Sequence, residues 1–311
     1  MQQQYIKPGS PHHLRIITAS KVGIILGVSD FQSPAQLWLT MTGRIDPEPA
    51  DDAMLRGSIQ EASILEWFYT VEHPELTRLA GETTWINPNY DWCAANTDSH
   101  ARAEDGEIIF VEAKSIARDK GTWGTPGTDE IPEAYWAQVQ FQMWVADHLD
   151  GPGVTRCYVI KHGPYVDQYD TYQVHYQPRA AQKIADQCKA FYDSLSDPDG
   201  CPPAAVHKGE HRWFAKVHPD INRDQHWDIN RDLAEAYVLA REQQALAIAK
   251  VDKAKADILR AMGNARTAQY CGLTIAYRRP TKTGVSLYPP QRDITVTDLN
   301  HAESAATDTA A

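Results

Sequence analysis

The sequence lacks paired cysteines. Its five cysteines are scattered along 311 residues, and no two of them form a CxxC pair: Cys93, Cys157, Cys188, Cys201 and Cys271. This spacing argues against a zinc site or an iron–sulfur cluster. It is typical of a chain that stays reduced, so we expect a cytoplasmic location.

Long apolar runs are also absent. No segment approaches the length of a membrane-spanning helix, and the first residues carry no apolar signal region, so we expect no membrane association. Positive charge is scarce, because 30 Lys and Arg residues face 41 Asp and Glu residues, for a net charge of −11. This balance disfavours a protein that coats nucleic acid, but it allows an enzyme with a local basic groove.

The remaining composition is that of an ordinary globular protein, and its patterns change twice along the chain. Residues 1–205 mix helical and strand patterns and predict one α/β domain. Residues 206–292 predict a C-terminal appendage, with a long helix over residues 228–262 and a strand near 273–277. Residues 293–311 are polar, acidic and rich in alanine, so we expect a disordered tail.

The most informative pattern lies at the ends of two apolar runs. Asp98 follows the first run, and Glu112-Ala113-Lys114 ends the second. Because side chains alternate along a strand, Glu112 and Lys114 share one face and Ala113 turns towards the core. A carboxylate and an ammonium at the end of a buried strand can hold a divalent cation and position a water, which is the chemistry of metal-assisted phosphodiester hydrolysis.

A third acid lies on the helix predicted over residues 51–69. Glu61 shares its stripe with apolar residues, whereas Glu66 falls on another face. A carboxylate on an apolar stripe is costly to desolvate unless it is paired or bound to a metal. Glu61 is therefore either a member of a metal site or the partner of a nearby arginine such as Arg56.

Each short motif has an ordinary structural explanation when it is taken alone. Asp98 is of a type common in turns, and Glu112 with Lys114 could be a salt-bridged strand end on the surface. Their order along the chain favours a shared site. Because clustered carboxylates repel one another unless cations compensate them, we hypothesise a metal site.

The helix predicted from Ile131-Pro132 to about residue 147 adds polar groups. Tyr135, Gln138 and Gln142 fall on one side of it, and Gln140 falls on nearly the opposite side. An amide can donate to a phosphate or to a metal-bound water without adding charge.

The segment Ala-Tyr-Trp-Ala-Gln-Val-Gln-Phe-Gln-Met-Trp-Val (residues 134–145) resembles a helix of the lambda-exonuclease or YqaJ-like viral recombinases, within the PD-(D/E)xK nuclease superfamily. Ile17-Thr18-Ala19-Ser20, Arg56-Gly57 with Glu61, Thr97-Asp98 and Glu112-Ala113-Lys114 follow that family's order. Thr97 stands where the family usually has proline. The resemblance covers the first region and implies an α/β (α+β) fold with a PD-(D/E)xK restriction-endonuclease-like core, in which helices flank a central mixed sheet.

The resemblance further implies a metal-dependent 5′→3′ exonuclease on double-stranded DNA, acting in phage-type recombination by single-strand annealing in a bacterial host. Asp98, Glu112 and the Ala113 carbonyl would hold one Mg²⁺, and Glu61 with Asp98 would help to hold a second, with Mn²⁺ as the substitute ion. Lys114 would orient or deprotonate the attacking water, since a neighbouring cation lowers a lysine pKa. Two further side chains would support the water, the metal shell or the scissile phosphate: Gln138 and Tyr135.

The resemblance also bears on the DNA end and on partners. His13 stands where the family has an arginine that contacts the 5′-phosphate, and Arg15 follows two residues later. Ser20, with Arg15 or His13, would receive this phosphate at a helix N-terminus. The implied partners are double-stranded DNA ends, a single-strand annealing protein and further copies of the chain in a ring-shaped trimer.

Several alternatives stay open. The chain could be an endonuclease or a single-strand-specific nuclease of the same fold, or a non-catalytic DNA-binding recombination module, although clustered carboxylates that repel phosphate argue against the last. The long helix could be an interface, a cover over a DNA channel or part of a helical hairpin, and we favour an appendage packed on the nuclease domain. A basic cluster near residue 280 either touches DNA or is a solvated turn: Arg278, Arg279 and Lys282.

Overall fold

The computed structural model describes residues 6, 9–49, 51–117, 121–147, 153–164, 168–282, 284–290 and 294–310. The chain divides into two compact units, Met1–Ile221 and Asn222–Ala311. The first unit extends beyond residue 205, where the sequence pattern places the boundary. Side chains after that point, including Trp213 and Phe214, pack against the largest core cluster of the first unit.

Seven helices are described in the first unit: α1 (Pro11–Arg15), α2 (Ala19–Ile25), α3 (Pro34–Met41), α4 (Asp52–Trp67), α5 (Glu133–Asp147), α6 (Pro178–Ser194) and α7 (His211–Val217). Ser33 caps α3 by accepting from the Gln36 N–H, as the Ser-Pro pair predicts. Asp51 caps α4 in the same way, and a short π-helical turn, Phe68–Glu72, continues that helix.

The strands of this unit are β1 (Ile17–Thr18), β2 (Thr77–Ala80), β3 (Thr83–Trp85), β4 (Cys93–Thr97), β5 (Ser99–Arg102), β6 (Ile108–Ser115), β7 (Val154–His162) and β8 (Tyr169–His175). They form a five-stranded sheet in the order β2-β5-β6-β7-β8 and a three-stranded sheet in the order β1-β4-β3. The β6–β7 pair is parallel, whereas the other pairs of the larger sheet are antiparallel. A strand is also predicted to begin at Val166, which lies outside the described residues.

Helices cover both faces of the larger sheet at β6. Phe110 packs with Val139 and Met143 of α5. Its neighbour on the strand, Ile109, packs on the other side with Ile64 and other residues of α4. This alternation follows from the pleat of a strand that is buried on both faces. The expected fold, with helices flanking a central mixed sheet, is confirmed.

The chain passes from one sheet to the other at Asp98. Residue Asp98 separates β4, in the smaller sheet, from β5, in the larger one. The sequence predicts an apolar run before Asp98 but no strand after it. The short β5 was missed because it alternates small and polar side chains, Ser99-His100-Ala101-Arg102.

Helix α5 is held in place by a close approach to α2. A Cβ atom added to Gly23 would lie 2.8 Å from the Cβ of Ala134, so only glycine allows this separation. From Val139 onwards α5 is buried on nearly every side, and even Gln140 and Gln142 are fully shielded from solvent. The helix that carries the predicted glutamines is therefore a central element of the first unit.

The second unit contains α8 (Arg231–Met262), β9 (Thr267–Tyr270), β10 (Leu273–Thr281), β11 (Gly284–Tyr288) and α9 (Val296–Ala310). The three strands form an antiparallel sheet with β10 in the centre. Asn230 caps α8, and Gly263 follows its last residue, in agreement with the long helix that the sequence predicts.

The C-terminal segment is helical where its composition predicts disorder. Thr295 and Asp298 form a reciprocal cap, in which the Thr295 N–H donates to the Asp298 carboxylate and the Asp298 N–H donates to the Thr295 hydroxyl. Alanine, the best helix former, follows at several positions of α9. Throughout the part of the chain that the structure describes, no helix is long and apolar enough to cross a membrane.

Candidate active site

The candidate site is built around the C-terminal end of β6, where Glu112 and Lys114 point to the α5 side of the sheet. Lys114 Nζ lies 2.7 Å from Glu112 Oε1. Glu112 is only 4% exposed, which marks this as a buried ion pair rather than a surface strand end. Ala113, between them, contacts the cluster on the α4 side. The alternation of side chains along a strand therefore predicted which side of the sheet each of the three residues faces.

Helix α5 supplies amides to the same carboxylate. Gln138 Nε2 donates to Glu112 Oε1 at 2.6 Å, and Gln142 Nε2 donates to Glu112 Oε2 at 2.9 Å. Gln138 also accepts from Lys114 Nζ at 3.3 Å, and the Lys114 ammonium lies 4.9 Å from the centre of the Tyr135 ring. Tyr135, Gln138 and Gln142 thus surround Glu112 and Lys114.

Gln140 is used differently, as its position on the helix predicts. Its Nε2 donates to the His175 carbonyl, and its Oε1 accepts from the Gln177 N–H. Gln140 therefore joins α5 to the end of β8 and contributes nothing to the cluster around Glu112.

Asp98 reaches the site from the bend between β4 and β5. Its Oδ2 accepts from the Ala113 N–H at 2.7 Å. Burial raises the pKa of the Asp98 carboxyl well above its ordinary value, and the Glu112 and Glu61 carboxylates raise it further. Asp98 is therefore a half-buried acid held against β6 and not a solvated turn aspartate.

Glu61 approaches from α4, on the other side of β6. Burial, and then the charges of Glu82 and Glu112, raise the pKa of Glu61 to about 7. Arg56, the alternative partner predicted from the sequence, donates to Gln60 instead. Glu66 is exposed, as predicted. The Glu112 charge thus acts on the pKa of both Glu61 and Asp98.

Lys114 is the positive charge within this acidic cluster. Burial alone would lower its pKa, but the Glu112 and Asp98 carboxylates outweigh burial and raise it above the ordinary value. With these carboxylates as its neighbours, Lys114 carries a proton at neutral pH and is a hydrogen-bond donor.

The donor chemistry of the site fits a hard divalent cation. Carboxylate oxygens and a backbone carbonyl such as that of Ala113 are the ligands that Mg²⁺ and Mn²⁺ prefer. Burial raises the pKa values of Asp98 and Glu61, and the neighbouring acids raise them further. Across the described residues, however, no group of three or more His, Cys, Asp or Glu side chains is arranged to hold a metal. Both Glu112 oxygens accept from Lys114 or the glutamines, and Asp98 accepts from a backbone N–H.

A second cluster forms around the start of α2. The Thr18 hydroxyl lies 3.2 Å from both His13 Nε2 and the Ser20 hydroxyl. Arg15, at the end of α1, is exposed. The structure thus brings two of the predicted phosphate-binding residues, His13 and Ser20, together through Thr18.

Lys21 lies next to this cluster, and the sequence did not single it out. Its Nζ donates to the Ile16 carbonyl at 2.7 Å and also to the His13 carbonyl. Burial lowers the pKa of Lys21 to about 7, and burial with the Lys21 charge lowers the pKa of His13 to about 4. His13 is therefore uncharged at neutral pH, unlike an arginine at that position.

Sequence reasoning also left unassigned a network at the end of β6. Ser115 donates from its hydroxyl to Gln60 Oε1, which also accepts from Arg56. This network joins α4 to the strand that carries Glu112. Gln60 precedes Glu61, so one turn of α4 contains both the amide of this network and the acid of the candidate site. No periodic signal distinguishes Gln60 from a surface glutamine.

Comparison with known proteins identifies a related domain in the first part of the chain. Residues 10–149 match the model of the YqaJ-like viral recombinase domain. All the candidate residues lie within that range, and the resemblance based on the motifs is confirmed.

The alignment with a curated relative covers only part of this chain and part of that protein. The uncharacterized protein YqaJ of Bacillus subtilis (strain 168) is 30% identical over 144 residues, which are 46% of this chain and 41% of that protein. The chain therefore spans less than half the length of this curated relative.

Two solved exonucleases are similar in structure. An alkaline exonuclease (LHK-Exo) from Laribacter hongkongensis is 19% identical and has a TM-score of 0.41, with 58% of this chain and 88% of that chain covered. A phage-related exonuclease from Haemophilus somnus 129PT is 12% identical and has a TM-score of 0.41, with 58% and 94% covered. These values are too low to bear on activity.

Proposed function

We propose that this chain is a divalent-metal-dependent exonuclease that degrades double-stranded DNA from the 5′ end. The proposal rests on Asp98 and Glu112, which contact the Ala113–Lys114 segment at the end of β6. It rests also on Glu61 of α4, whose pKa is raised by burial and then by the charges of Glu82 and Glu112. Three acids from separate segments repel one another where water is partly excluded, and a bound divalent cation would relieve this repulsion. The match to the recombinase domain model supports the choice of DNA as substrate.

Asp98, Glu112 and the Ala113 carbonyl would hold one Mg²⁺, and Glu61 with Asp98 would help to hold a second, with Mn²⁺ as a substitute. Bound ions at such a site stabilise the attacking and leaving oxygens of phosphodiester hydrolysis. Binding requires Glu112 to exchange its contacts with Lys114 or Gln138 for the cation, since those donors now occupy its Oε1.

The other side chains act on water and phosphate. Lys114, released from Glu112, would donate to the attacking water or the scissile phosphate and hold it in place. Gln138 would orient the same water through its amide, and Tyr135 would limit the movement of the Lys114 ammonium beneath its ring. These roles need no proton transfer from Lys114, whose pKa is raised by the neighbouring acids.

The 5′-phosphate would bind at the start of α2. Ser20 is exposed there and would donate its hydroxyl. Because His13 is uncharged at neutral pH, the positive charge would come from the exposed guanidinium of Arg15. His13 would contribute a neutral hydrogen bond at most.

The finer biological setting also belongs to this proposal. We propose a role in phage-type recombination by single-strand annealing, in the cytoplasm of a bacterial host, together with an annealing protein. A ring-shaped trimer would keep the enzyme on one DNA strand over many cycles. The family resemblance of residues 10–149 supports each of these points.

The test is digestion of linear duplex DNA labelled at the 5′ or the 3′ end, beside a closed circle of the same sequence. We expect Mg²⁺-dependent release of the 5′ label as mononucleotide, a shrinking 3′-labelled strand and an intact circle. Cleavage of the circle would favour the endonuclease alternative, and faster degradation of single strands would favour a single-strand nuclease.

The non-catalytic alternative is tested in the same assay. A binding module would leave both labels intact at every Mg²⁺ and Mn²⁺ concentration while still retarding the duplex in a gel. That result would contradict the proposed function.

A further inference from the structure

The second unit carries a basic segment in an otherwise acidic protein. Residues 258–290 contain five basic side chains and no Asp or Glu, whereas the whole chain has a net charge of −11. Most of this segment forms the three-stranded sheet β9–β11. A positive sheet attached to a negatively charged chain is suited to an anionic polymer.

The hairpin β10–β11 has two distinct faces. Tyr277 lies directly opposite Tyr288, and Arg279 lies opposite Ser286, so these side chains share one face. Ala276 and Leu287, on the other face, are buried. The face with the tyrosines is open, since Arg279 is exposed and Tyr288 is 41% exposed.

The Arg279 guanidinium is close to both tyrosine rings. Its guanidinium carbon is 5.9 Å from the centre of the Tyr277 ring and 5.6 Å from the centre of the Tyr288 ring. Both rings are thus within cation–π range of the guanidinium on the open face. We call these three residues the Tyr–Arg–Tyr face.

The neighbouring arginine has a different role. Arg278 lies opposite Leu287 on the buried side and donates to the carbonyl of Gly263, at the end of α8. Arg278 thus ties the sheet to the long helix. The basic cluster seen in the sequence separates into a structural arginine and an arginine available to a ligand.

We propose that the Tyr–Arg–Tyr face binds single-stranded DNA. Aromatic rings and a guanidinium plane offer stacking surfaces to bases, and the positive charge attracts the phosphate backbone. A single strand fits better than a duplex because its bases are free to stack. The inference rests on the proposed function only for the choice of DNA, since an exonuclease that degrades one strand of a duplex leaves the other strand unpaired.

The experiment measures binding of fluorescein-labelled oligo(dT) to the full chain in EDTA, by fluorescence anisotropy at several salt concentrations. We expect Arg279→Gln and Tyr288→Ser each to weaken binding about tenfold. Arg279→Gln should also reduce the slope of log affinity against log salt by about 1, whereas Tyr288→Ser should leave that slope unchanged.

Two control variants make the test specific. Arg241→Gln removes an exposed arginine from α8 in the same unit and should leave binding within twofold of wild type. Tyr288→Phe keeps the ring and should retain full binding. A wild-type chain that does not bind oligo(dT), or equal losses in Arg279→Gln and Arg241→Gln, would overturn the inference.

Other occupants of the face give distinct results. If a second copy of the chain covers it, Tyr288→Ser will lower the molecular mass in light scattering and leave oligo(dT) binding unchanged, which would overturn the proposal. Stronger competition by duplex than by single strands would overturn it as well. Oligo(dT) binding is measured in EDTA and duplex digestion by the wild-type chain is measured separately with Mg²⁺, so this inference and the proposed nuclease activity can fail independently.

Discussion

Gln142 and Glu112 form a buried hydrogen bond, in which Gln142 Nε2 donates to Glu112 Oε2 at 2.9 Å. The same amide nitrogen donates to the Asn96 carbonyl at 2.7 Å, so Gln142 joins Glu112 to β4 just before Asp98. Gln142 Oε1 is buried, and no hydrogen-bond partner for it occurs among the described residues. Gln142 therefore fixes the position of one acid relative to the segment that carries another.

Replacing Gln142 with Leu should weaken metal-dependent DNA degradation. Outer hydrogen bonds that orient a ligating carboxylate are worth about ten- to a hundredfold in metal affinity or activity. We expect Gln142→Leu to raise the Mg²⁺ concentration for half-maximal degradation by about that factor. The measurement is an Mg²⁺ titration of duplex digestion.

Gln140→Leu is the matched control on the same helix. Gln140 is equally buried but bonds to the backbone at the end of β8. Its replacement should cost about 1–3 kcal/mol of unfolding free energy without shifting the Mg²⁺ titration. If both variants shift the titration equally, Gln142 has no special role at the site.

Asp98→Ala and Lys114→Ala should each abolish DNA degradation while the fold remains intact. Each removes a charged group that would act directly on the cation, the water or the phosphate, so we expect a loss of at least about a hundredfold. Activity is measured by release of 5′ label, and the fold by circular dichroism. Glu66→Ala, which removes an exposed acid from α4, should remain fully active; an active Asp98→Ala or Lys114→Ala would show that the site is assigned wrongly.

Glu61 should make the metal-free protein less stable as the pH rises. The pKa of Glu61 is raised from 4.5 to about 7, so the folded chain keeps a proton over this window that the unfolded chain has released. Folding stability contributed by the neutral acid is thus present below pH 4.5 and is lost as the pH rises towards 7. The Glu61→Gln variant carries a neutral side chain at every pH, so its stability should not fall in this way.

The thermal midpoint in EDTA reports this effect. The advantage of Glu61→Gln over wild type should grow between pH 4.5 and 7, and added Mg²⁺ should then raise the midpoint of the wild type more than that of the variant. Glu66→Gln should follow the wild type at every pH. Parallel curves for wild type and Glu61→Gln would show that Glu61 is not in a desolvated cluster of acids.

The residues at the start of α2 should determine the response to the DNA end. Arg15→Gln and Ser20→Ala should reduce the ratio of digestion rates on 5′-phosphorylated and 5′-hydroxyl duplexes, because each removes a donor to the phosphate. His13→Ala should have a smaller effect, since the imidazole is uncharged at neutral pH. The exposed neighbour His12 provides the control, and a ratio unchanged in Arg15→Gln and Ser20→Ala would place the phosphate elsewhere.

The parts of the site that the sequence predicted are those governed by local periodicity. Alternation along β6 placed Glu112 and Lys114 together, and helical spacing along α5 separated Gln138 from Gln140. Both elements are long and strongly patterned, so the geometry of one strand or one helix decides which way a side chain faces.

The parts that the sequence did not predict depend on contacts between distant segments. Tertiary packing decides that Arg56 bonds to Gln60 and not to Glu61. It also buries Lys21 against the His13 carbonyl. Strand β2 is exposed and lacks an apolar face, so alternation gives no signal. The helix α9 depends on one local cap at Thr295, which the average composition of the tail obscures.

The most direct test of the proposed site is a titration of the full chain with Mn²⁺, followed by electron paramagnetic resonance of the free ion. Saturable binding of about two ions per chain, displaced by Mg²⁺ and lost in Asp98→Ala but retained in Glu66→Ala, is the predicted result. A wild-type chain that binds no Mn²⁺, or an Asp98→Ala variant that binds as many ions as the wild type, would contradict it.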